Sequence, residues 1–277
     1  MSTLPADFRF SQGSLQDYVD CPRRFQLRYV LRLAWPAIEA EPALENERHM
    51  QQGAAFHRLI HQHVLGIPVD RLSSSVDDED LGGWWRNYLA KAPADLPSRR
   101  FAEIVLSAPL AGHQLMAKYD LVAIDPGHSV VIIDWKTSHH RPPRPWLAGR
   151  LQTRVYPYLA VRAGSALDDG RPLEAEQVKM VYWFASFPDD PESFSYGAAQ
   201  LQADEVYLTS LIDEIKNRGS GDYSLTSQEK HCQYCPYRSL CGRGLAAGLV
   251  QVMETEAWPG DDTEISFDFE QIAEIEY

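Results

Sequence analysis

Asp120 and the triplet Asp134-Trp135-Lys136 are the residues of this chain whose types and spacing are best suited to chemistry. The run Val130-Val131-Ile132-Ile133 ends abruptly in that triplet. A β-branched run reads as a strand buried in a sheet, so a carboxylate and an ammonium at its tip stand out. Asp134 and Lys136 are two apart and point to the same face of a strand. The turn-forming residues Pro126-Gly127-His128-Ser129 let a hairpin bring Asp120 beside them. Two carboxylates can hold a divalent cation against a phosphodiester, while an adjacent lysine orients water and offsets developing negative charge. A surface ion pair at a strand end is the competing reading, and Asp-x-Lys alone does not separate the two.

Other residues stand in a telling order around this pattern. Gly53-x3-His57 comes first, then Glu103 within the apolar stretch Phe101-Ala-Glu-Ile-Val-Leu106, then Asp120, Asp134-x-Lys136 and Gln152-x3-Tyr156. This series resembles the PD-(D/E)xK nuclease superfamily, and within it the RecB-like members. The resemblance implies an α/β fold: a mixed, restriction-endonuclease-like β-sheet flanked by helices. It implies a metal-dependent deoxyribonuclease using Mg²⁺ or Mn²⁺. Asp120 and Asp134 would be metal ligands with the backbone carbonyl of Trp135, and His57 the additional RecB-like ligand. Lys136 would orient or activate the attacking water. Glu103 is read as a ligand or as a hydrogen-bonding partner of one. Gln152 and Tyr156 would share a helix face and hold Lys136 and the scissile phosphate, or else serve as buried partners of the core. Two features depart from the family's pattern: Ala117-Lys118-Tyr119 stands where a glycine usually precedes the first aspartate, and Pro157 directly follows Tyr156.

The chain has four cysteines: Cys21, and Cys232-x2-Cys235-x5-Cys241. That spacing suits a metal or cluster site better than a disulfide framework. Zinc sites usually show two paired knuckles, whereas here one ligand lies near the N-terminus and three lie together far downstream. All-thiolate ligation suits a [4Fe–4S] cluster, with zinc as the alternative. The segment Ser11-x3-Leu15-x2-Tyr18-x2-Cys21-Pro22-x2-Phe25 resembles the N-terminal cysteine element of iron–sulfur RecB/AddB nucleases, and residues 231–241 resemble its partner. Such a cluster would act as a staple. In the loop-closure picture, joining these distant segments removes unfolded-state entropy worth about 4–5 kcal/mol. Tyr18 and Tyr234 could cover it, or simply pack in the core.

Net charge is −13, which at first argues against a nucleic-acid protein. Nine of the 39 acids, however, lie from Glu254 onward without a lysine or arginine; the other thirty against 26 basic residues leave −4. Residues 137–163 hold Arg141, Arg144, Arg150, Arg154 and Arg162 and no acid, and Arg24, Arg28 and Arg32 repeat at helical spacing. We read Arg24, Arg28, Arg141, Arg144, Arg150 and Arg154 as phosphate contacts, against the alternative of solvated helix faces. The expected partner is DNA, as single strands or ends. Three function classes follow: a stand-alone exonuclease of repair, recombination or phage/CRISPR defence; a nuclease subunit of a helicase–nuclease complex; and a non-catalytic DNA-binding module. No G-x4-G-K-[ST] occurs, so no motor is expected in this chain.

The elements that must position these residues follow from periodicity. The 277-residue chain, 44% hydrophobic, reads as one domain over 1–250 plus an acidic tail over 251–277. Segments 1–33 and 227–250 form its cluster-binding part, and the tail is a docking segment for a helicase or other partner or a shield for the basic groove. No membrane span or secretory leader is read, which suits a cytoplasmic protein. Ser11 caps a first helix that Pro22 interrupts, and a second runs to about residue 33. Residues 34–46 read as loop, 49–65 and 80–91 as helices, and 101–107, 114–124 and 130–134 as core strands. A helix is expected over 147–162, a strand over 178–184, and over 202–218 an amphipathic helix burying Val206, Leu208, Leu211, Ile212 and Ile215.

Overall fold

β4 (Ser129–Lys136) is the axis of the molecule. Val130 and Ile132 face one apolar layer, while Ile133 and Trp135 face a second, so the strand is buried on both sides. A computed structural model of the chain describes residues 4–5, 7–33, 43–219, 221–232 and 235–244. The acidic tail and Tyr234 lie outside the described residues.

The sheet is mixed. β3 (His113–Asp125) pairs antiparallel with β2 (Arg99–Leu110) on one edge and with β4 on the other. β4 pairs parallel with β5 (Val178–Phe184), and β5 antiparallel with β6 (Phe187–Ser195). The short β1 (Arg9–Ser11) joins β3 in parallel. A parallel pair needs a crossover; that between β4 and β5 is supplied by α6 (Arg144–Gly149) and α7 (Leu151–Ala163).

One face of the sheet is covered by α1 (Gln12–Asp20), α7 and α8 (Ala198–Lys216), which bury Leu15, Val155, Leu159, Leu208 and Ile212. The other carries α3 (Ala43–Val64), α4 (Val69–Ser73) and α5 (Glu79–Lys91), whose Phe56, Ile60, Trp84 and Trp85 pack on Trp135 and Trp183. No helix among the described residues is long and apolar enough to cross a membrane.

The expected strands and Ser11 cap are present. Ser11 Oγ accepts from the Ser14 amide at 3.0 Å, and Ser14 Oγ from the Ser11 amide at 2.9 Å. Other expectations are corrected. The helix read from residue 49 begins at Ala43, so 43–46 are not loop; 34–42 lie outside the described residues. The second N-terminal helix is α2 (Pro22–Phe25) continued by one π-helical stretch over Gln26–Val30, ending at Leu31. Arg32 therefore falls beyond it, and the arginine repeat has no third helical member. The helix read over 147–162 breaks at Arg150, whose ψ of 142° is extended, while α7 passes through Pro157 uninterrupted. Val206 is 63% exposed, so α8 buries a narrower stripe than expected.

Candidate active site

β3 carries β1 on Gln114–Met116 and β4 on Leu121–Asp125, both along the same edge. Residues 117–120 lie between these pairings, in the fork where β1 and β4 part. Asp120 stands at the upper lip: the last β3–β4 rung is Leu121↔Ile133, and the next would join Asp120 to Asp134. The two aspartates thus occupy the point at which the ladder opens, leaving their carboxylates free of cross-strand packing.

The opposite edge of β3 is irregular at the same rung. β2 and β3 pair at Ala102↔Leu121 and at Ile104↔Tyr119, with Glu103 and Asp120 between. Glu103 has φ +55°, a left-handed conformation rare for a residue with a side chain. Leu115, Ala117 and Tyr119 face the α1/α7/α8 layer, Leu121 the α3/α5 layer, and Val122 and Ile124 the first layer again. The alternation slips by one residue as it does at β-bulges, and this slip frees Glu103 and Asp120 from the two packed faces.

His57 of α3 meets them there, its Nδ1 3.2 Å from Asp120 Oδ1. His57, Glu103 and Asp120 each offer one ligand atom, all within 4.8 Å of one another. The other Asp120 oxygen accepts the Trp135 amide at 2.8 Å, which fixes the carboxylate's orientation. Glu103 is also ion-paired with Lys118. The middle of α3 comes close enough that a Cβ at Gly53 would sit 3.1 Å from Thr137 Oγ1, which favours glycine four residues before His57.

Asp134 and Lys136 share a strand face, as expected. Lys136 Nζ lies 3.1 Å from Asp134 Oδ2, and both side chains are nine-tenths or more buried. Gln152 Nε2 donates to Asp134 Oδ1 at 2.5 Å. Asp134 Oδ2 is buried, and the Lys136 ammonium at 3.1 Å is its one partner among the described residues. Burial pushes the Asp134 carboxyl up to about 7; the charge of Asp120 adds to this, and Lys136 opposes it. Asp120, which is more exposed than Asp134, is held below the usual carboxylate range, burial being outweighed by His57 and the Trp135 amide. Among the described residues the group whose atoms are close enough to hold a cation is His57, Glu103 and Asp120, while Asp134 stands beside it, paired with Lys136. The donor set, two or three carboxylates and one imidazole, suits Mg²⁺ or, with the imidazole bound, Mn²⁺.

Several assignments shift. Gln152 holds Asp134, not Lys136. Tyr156 points into the core, its ring 4.7 Å from that of Tyr119 and its carbonyl accepting the Tyr119 hydroxyl at 2.8 Å. Trp135 offers its amide to the site and its indole to the α3/α5 layer, 5.5 Å from Trp183. Sequence reasoning missed that amide and the left-handed Glu103, although adjacent apolar Leu121 and Val122 already betray the slipped alternation.

The arginines read as phosphate contacts are engaged within the protein. Arg24 is buried between Asp17 and Asp20, 2.8 Å from each. Arg28 reaches Asp17 at 3.1 Å. Arg141 and Arg144 both pair with Glu192 of β6, and Arg154 reaches the buried Asp204 of α8 at 2.8 Å. Arg150 is buried, its guanidinium 4.8 Å over the Trp146 ring. A stretch without acids in sequence thus meets acids in space, brought by a strand and a helix from further down the chain.

The four cysteines are free thiols gathered from the two ends of the described chain. Cys21 sits at the joint of α1 and α2, where the Arg23 amide donates to the Ser224 carbonyl and His231 Nδ1 lies 3.1 Å from the Asp20 carbonyl. Burial pushes the Cys235 thiol up to about 11 and raises Cys232 and Cys241, with Cys21 adding to all three. The four thiols are therefore mutual neighbours. Among the described residues they do not form a group close enough to hold a metal ion as they stand.

The sequence model of the PD-(D/E)XK nuclease superfamily matches residues 9–242, and the chain belongs to that superfamily. Its members are phosphodiester hydrolases. Among solved structures, similarity is found to SSO0001, at 13% identity over 84% of this chain and 85% of the other, with TM-score 0.40. A candidate exonuclease from Eubacterium rectale matches at 9% identity over 75% and 79%, with TM-score 0.44. A comparison with curated proteins finds no match.

Proposed function

We propose that this chain is a Mg²⁺- or Mn²⁺-dependent deoxyribonuclease of the RecB-like iron–sulfur kind, an exonuclease acting on single strands or DNA ends. Superfamily membership supports phosphodiester hydrolysis. The observation that carries the catalytic reading is the meeting of Asp120, Asp134 and Lys136 at the strand fork, with the Lys136 ammonium 3.1 Å from Asp134 Oδ2.

Asp120, Asp134, His57 and Glu103 would hold the cation, which when bound would polarise the phosphodiester and lower the pKa of water. Lys136 stands beside the acid that would bind the metal, so its ammonium can orient water and balance charge building on the phosphate oxygens. Gln152 keeps Asp134 turned toward the fork, and the Trp135 amide does the same for Asp120. The surrounding apolar layers limit water at the site and strengthen each of these electrostatic contacts.

For the cysteines, the partition into Cys21 and Cys232-x2-Cys235-x5-Cys241, with all four as free thiols, supports a [4Fe–4S] staple, with zinc as the alternative. The test of both readings uses purified full-length protein. End-labelled single- and double-stranded DNA is incubated with Mn²⁺, with Mg²⁺ and with chelator. Shortening of the strand from an end, abolished by chelator and in Lys136→Ala, is expected; undiminished cleavage by Lys136→Ala sinks the mechanism. Metal analysis of protein isolated without oxygen should give iron and sulfide, and stoichiometric zinc without iron would overturn the cluster.

A further inference from the structure

We propose that the open face of β1, β2 and β3 beside the metal ligands is the platform on which a nucleic-acid strand lies, with Arg9 gripping a phosphate some way from the cleaved bond. The inference rests on the nuclease reading and deepens it, naming the surface along which substrate meets the metal.

Alternation along the three strands separates two faces. Phe10 of β1, Leu106 and Ala108 of β2, and Leu115 and Ala117 of β3 are at most 8% exposed and pack beneath α1, α7 and α8. The residues between them project to the other side of the sheet. There Arg9, Val105, Ser107, Gln114 and Lys118 are exposed and Met116 is half-buried. The layer under α3 and α5 takes in Leu121, Ile133 and Trp183 but none of these six. Among the described residues, this part of the sheet is therefore packed on one side and open on the other.

The open face runs into the metal ligands. Lys118, on the rung with Val105, is ion-paired with Glu103, and Asp120 lies two residues further along β3. At the far end Arg9, Ser107, Gln114 and Met116 enclose a hollow of about 370 Å³, brought together by the pairings Arg9↔Gln114 and Ser107↔Met116. Gln114 stands six residues before Asp120, so the hollow is about 20 Å from the ligand cluster at about 3.3 Å per residue, a few nucleotides of backbone. Residues 9–11, 104–110 and 113–119 contain no acid. Unlike Arg24, Arg141 and Arg154, Arg9 pairs with no acid among the described residues, Asp7 included. Its guanidinium can fork onto a phosphate, and Ser107 and Gln114 offer neutral donors to phosphate or sugar oxygens. A cation site at one end and an unpaired arginine at the other match the repeating charge of a nucleic-acid backbone.

The test is the salt dependence of strand binding. Fluorescent single-stranded oligonucleotides, as DNA and as RNA, are titrated with full-length protein in chelator over a range of salt and followed by anisotropy. Steady-state cleavage is measured separately in Mn²⁺. Arg9→Ala should weaken binding about 3- to 5-fold at low salt. It should also lower the slope of log K against log salt by about 0.7, the share of one phosphate contact on a single strand. Arg9→Lys should keep the slope. Gln114→Glu, which sets a carboxylate beside Arg9, should weaken binding at least as much as Arg9→Ala. In cleavage these losses should fall on KM rather than kcat. Lys179→Ala, at an exposed position of β5, should change neither affinity nor slope. Unchanged affinity and slope in Arg9→Ala and Gln114→Glu overturn the platform while leaving the nuclease intact, and so does a wild-type protein that binds no strand. A strand held through Arg9 but cleaved in no metal sinks the nuclease reading and keeps the platform. A polyglutamate peptide that displaces the strand as well as unlabelled strand of equal charge would assign the face to an acidic peptide instead.

Discussion

The strand fork and the cysteine pole are both places where distant residues converge, yet they are built on opposite terms. At the fork, ligands ride on β2, β3, β4 and α3, each anchored in one of two large apolar layers. At the cysteine pole the apolar packing is a small separate cluster of Leu27, Cys235 and Tyr237 with Cys241 against it, and the connecting elements are short turns. The fork is held by the sheet whether or not an ion is bound. The thiols have little but one another and a few hydrogen bonds, such as Tyr237 to the Leu33 carbonyl at 2.9 Å. If the thiols hold a cluster as proposed, one site uses the fold while the other helps to make it.

That contrast is sharpest in what removal of a single group does. Lys136→Ala should lower kcat by about 10²–10³, the usual cost of losing one preorganised electrostatic group. It should shift the thermal midpoint less than loss of the staple does, because Asp134, losing its ammonium, can take up a proton and keeps Gln152. Cys21→Ser should do the reverse. Losing the staple removes about 4–5 kcal/mol in the loop-closure picture, hence a fall in midpoint of about 10–15 °C, with kcat per folded molecule largely kept below the transition. Calorimetry and single-turnover cleavage on both variants separate the two outcomes. A Cys21→Ser protein that melts with the wild type would mean the pole is held by its hydrogen bonds alone.

Sequence made the fork's residues legible but not its construction. Asp120, Asp134 and Lys136 stood out because charges at the end of Val130–Ile133 contradict a buried strand. The slipped rung at Glu103 and Asp120 was not legible, because a left-handed residue in a strand follows from pairing across β2 and β3 rather than from local propensity. The ion pairs of the arginines were hidden for the opposite reason. Their local surroundings were free of acid, but Glu192 and Asp204 arrive through β6 and α8, and charge pairing depends on distance in space. β6, with Pro188, Asp189, Asp190 and Pro191, has too few apolar residues to read as a strand; it is an edge strand that hydrogen bonding to β5 recruits.

A smaller effect tests whether the slipped rung serves the metal. Glu103 has two candidate roles on the structure: part of the His57–Asp120 cluster, and partner of Lys118. Glu103→Gln keeps size and backbone and removes the charge. If Glu103 binds the cation, the Mn²⁺ concentration giving half-maximal rate should rise about 10-fold, and excess metal should restore kcat to within a few-fold. An unchanged metal titration would leave Glu103 as an ion-pair partner, and the left-handed residue without a catalytic purpose.

The smallest effect probes the scaffold that makes the fork rigid. Asp78 caps α5 by accepting the Leu81 amide at 3.0 Å, and it also accepts from Gln52 of α3 at 2.8 Å, tying together the two helices behind Trp135. The Leu81 amide, then Gln52, hold its carboxyl down at about 2 against an ordinary 3.8. A carboxyl depressed on folding adds stability above its unfolded value and loses it as pH falls toward the folded one. Asp78→Ala should therefore cost about 1 kcal/mol at neutral pH, the usual worth of an N-cap. The gap between variant and parent should stay constant down to about pH 4 and close between there and about pH 2. Urea unfolding across that range measures it. Asp78's side-chain partners among the described residues are Arg48, Gln52 and Leu81, none of them in the cysteine pole, so if that pole binds iron as proposed its iron content should be the same in both proteins. If iron content fell with Asp78→Ala, the two poles would be coupled through α3, and the separation drawn between a site that uses the fold and a site that makes it would fail.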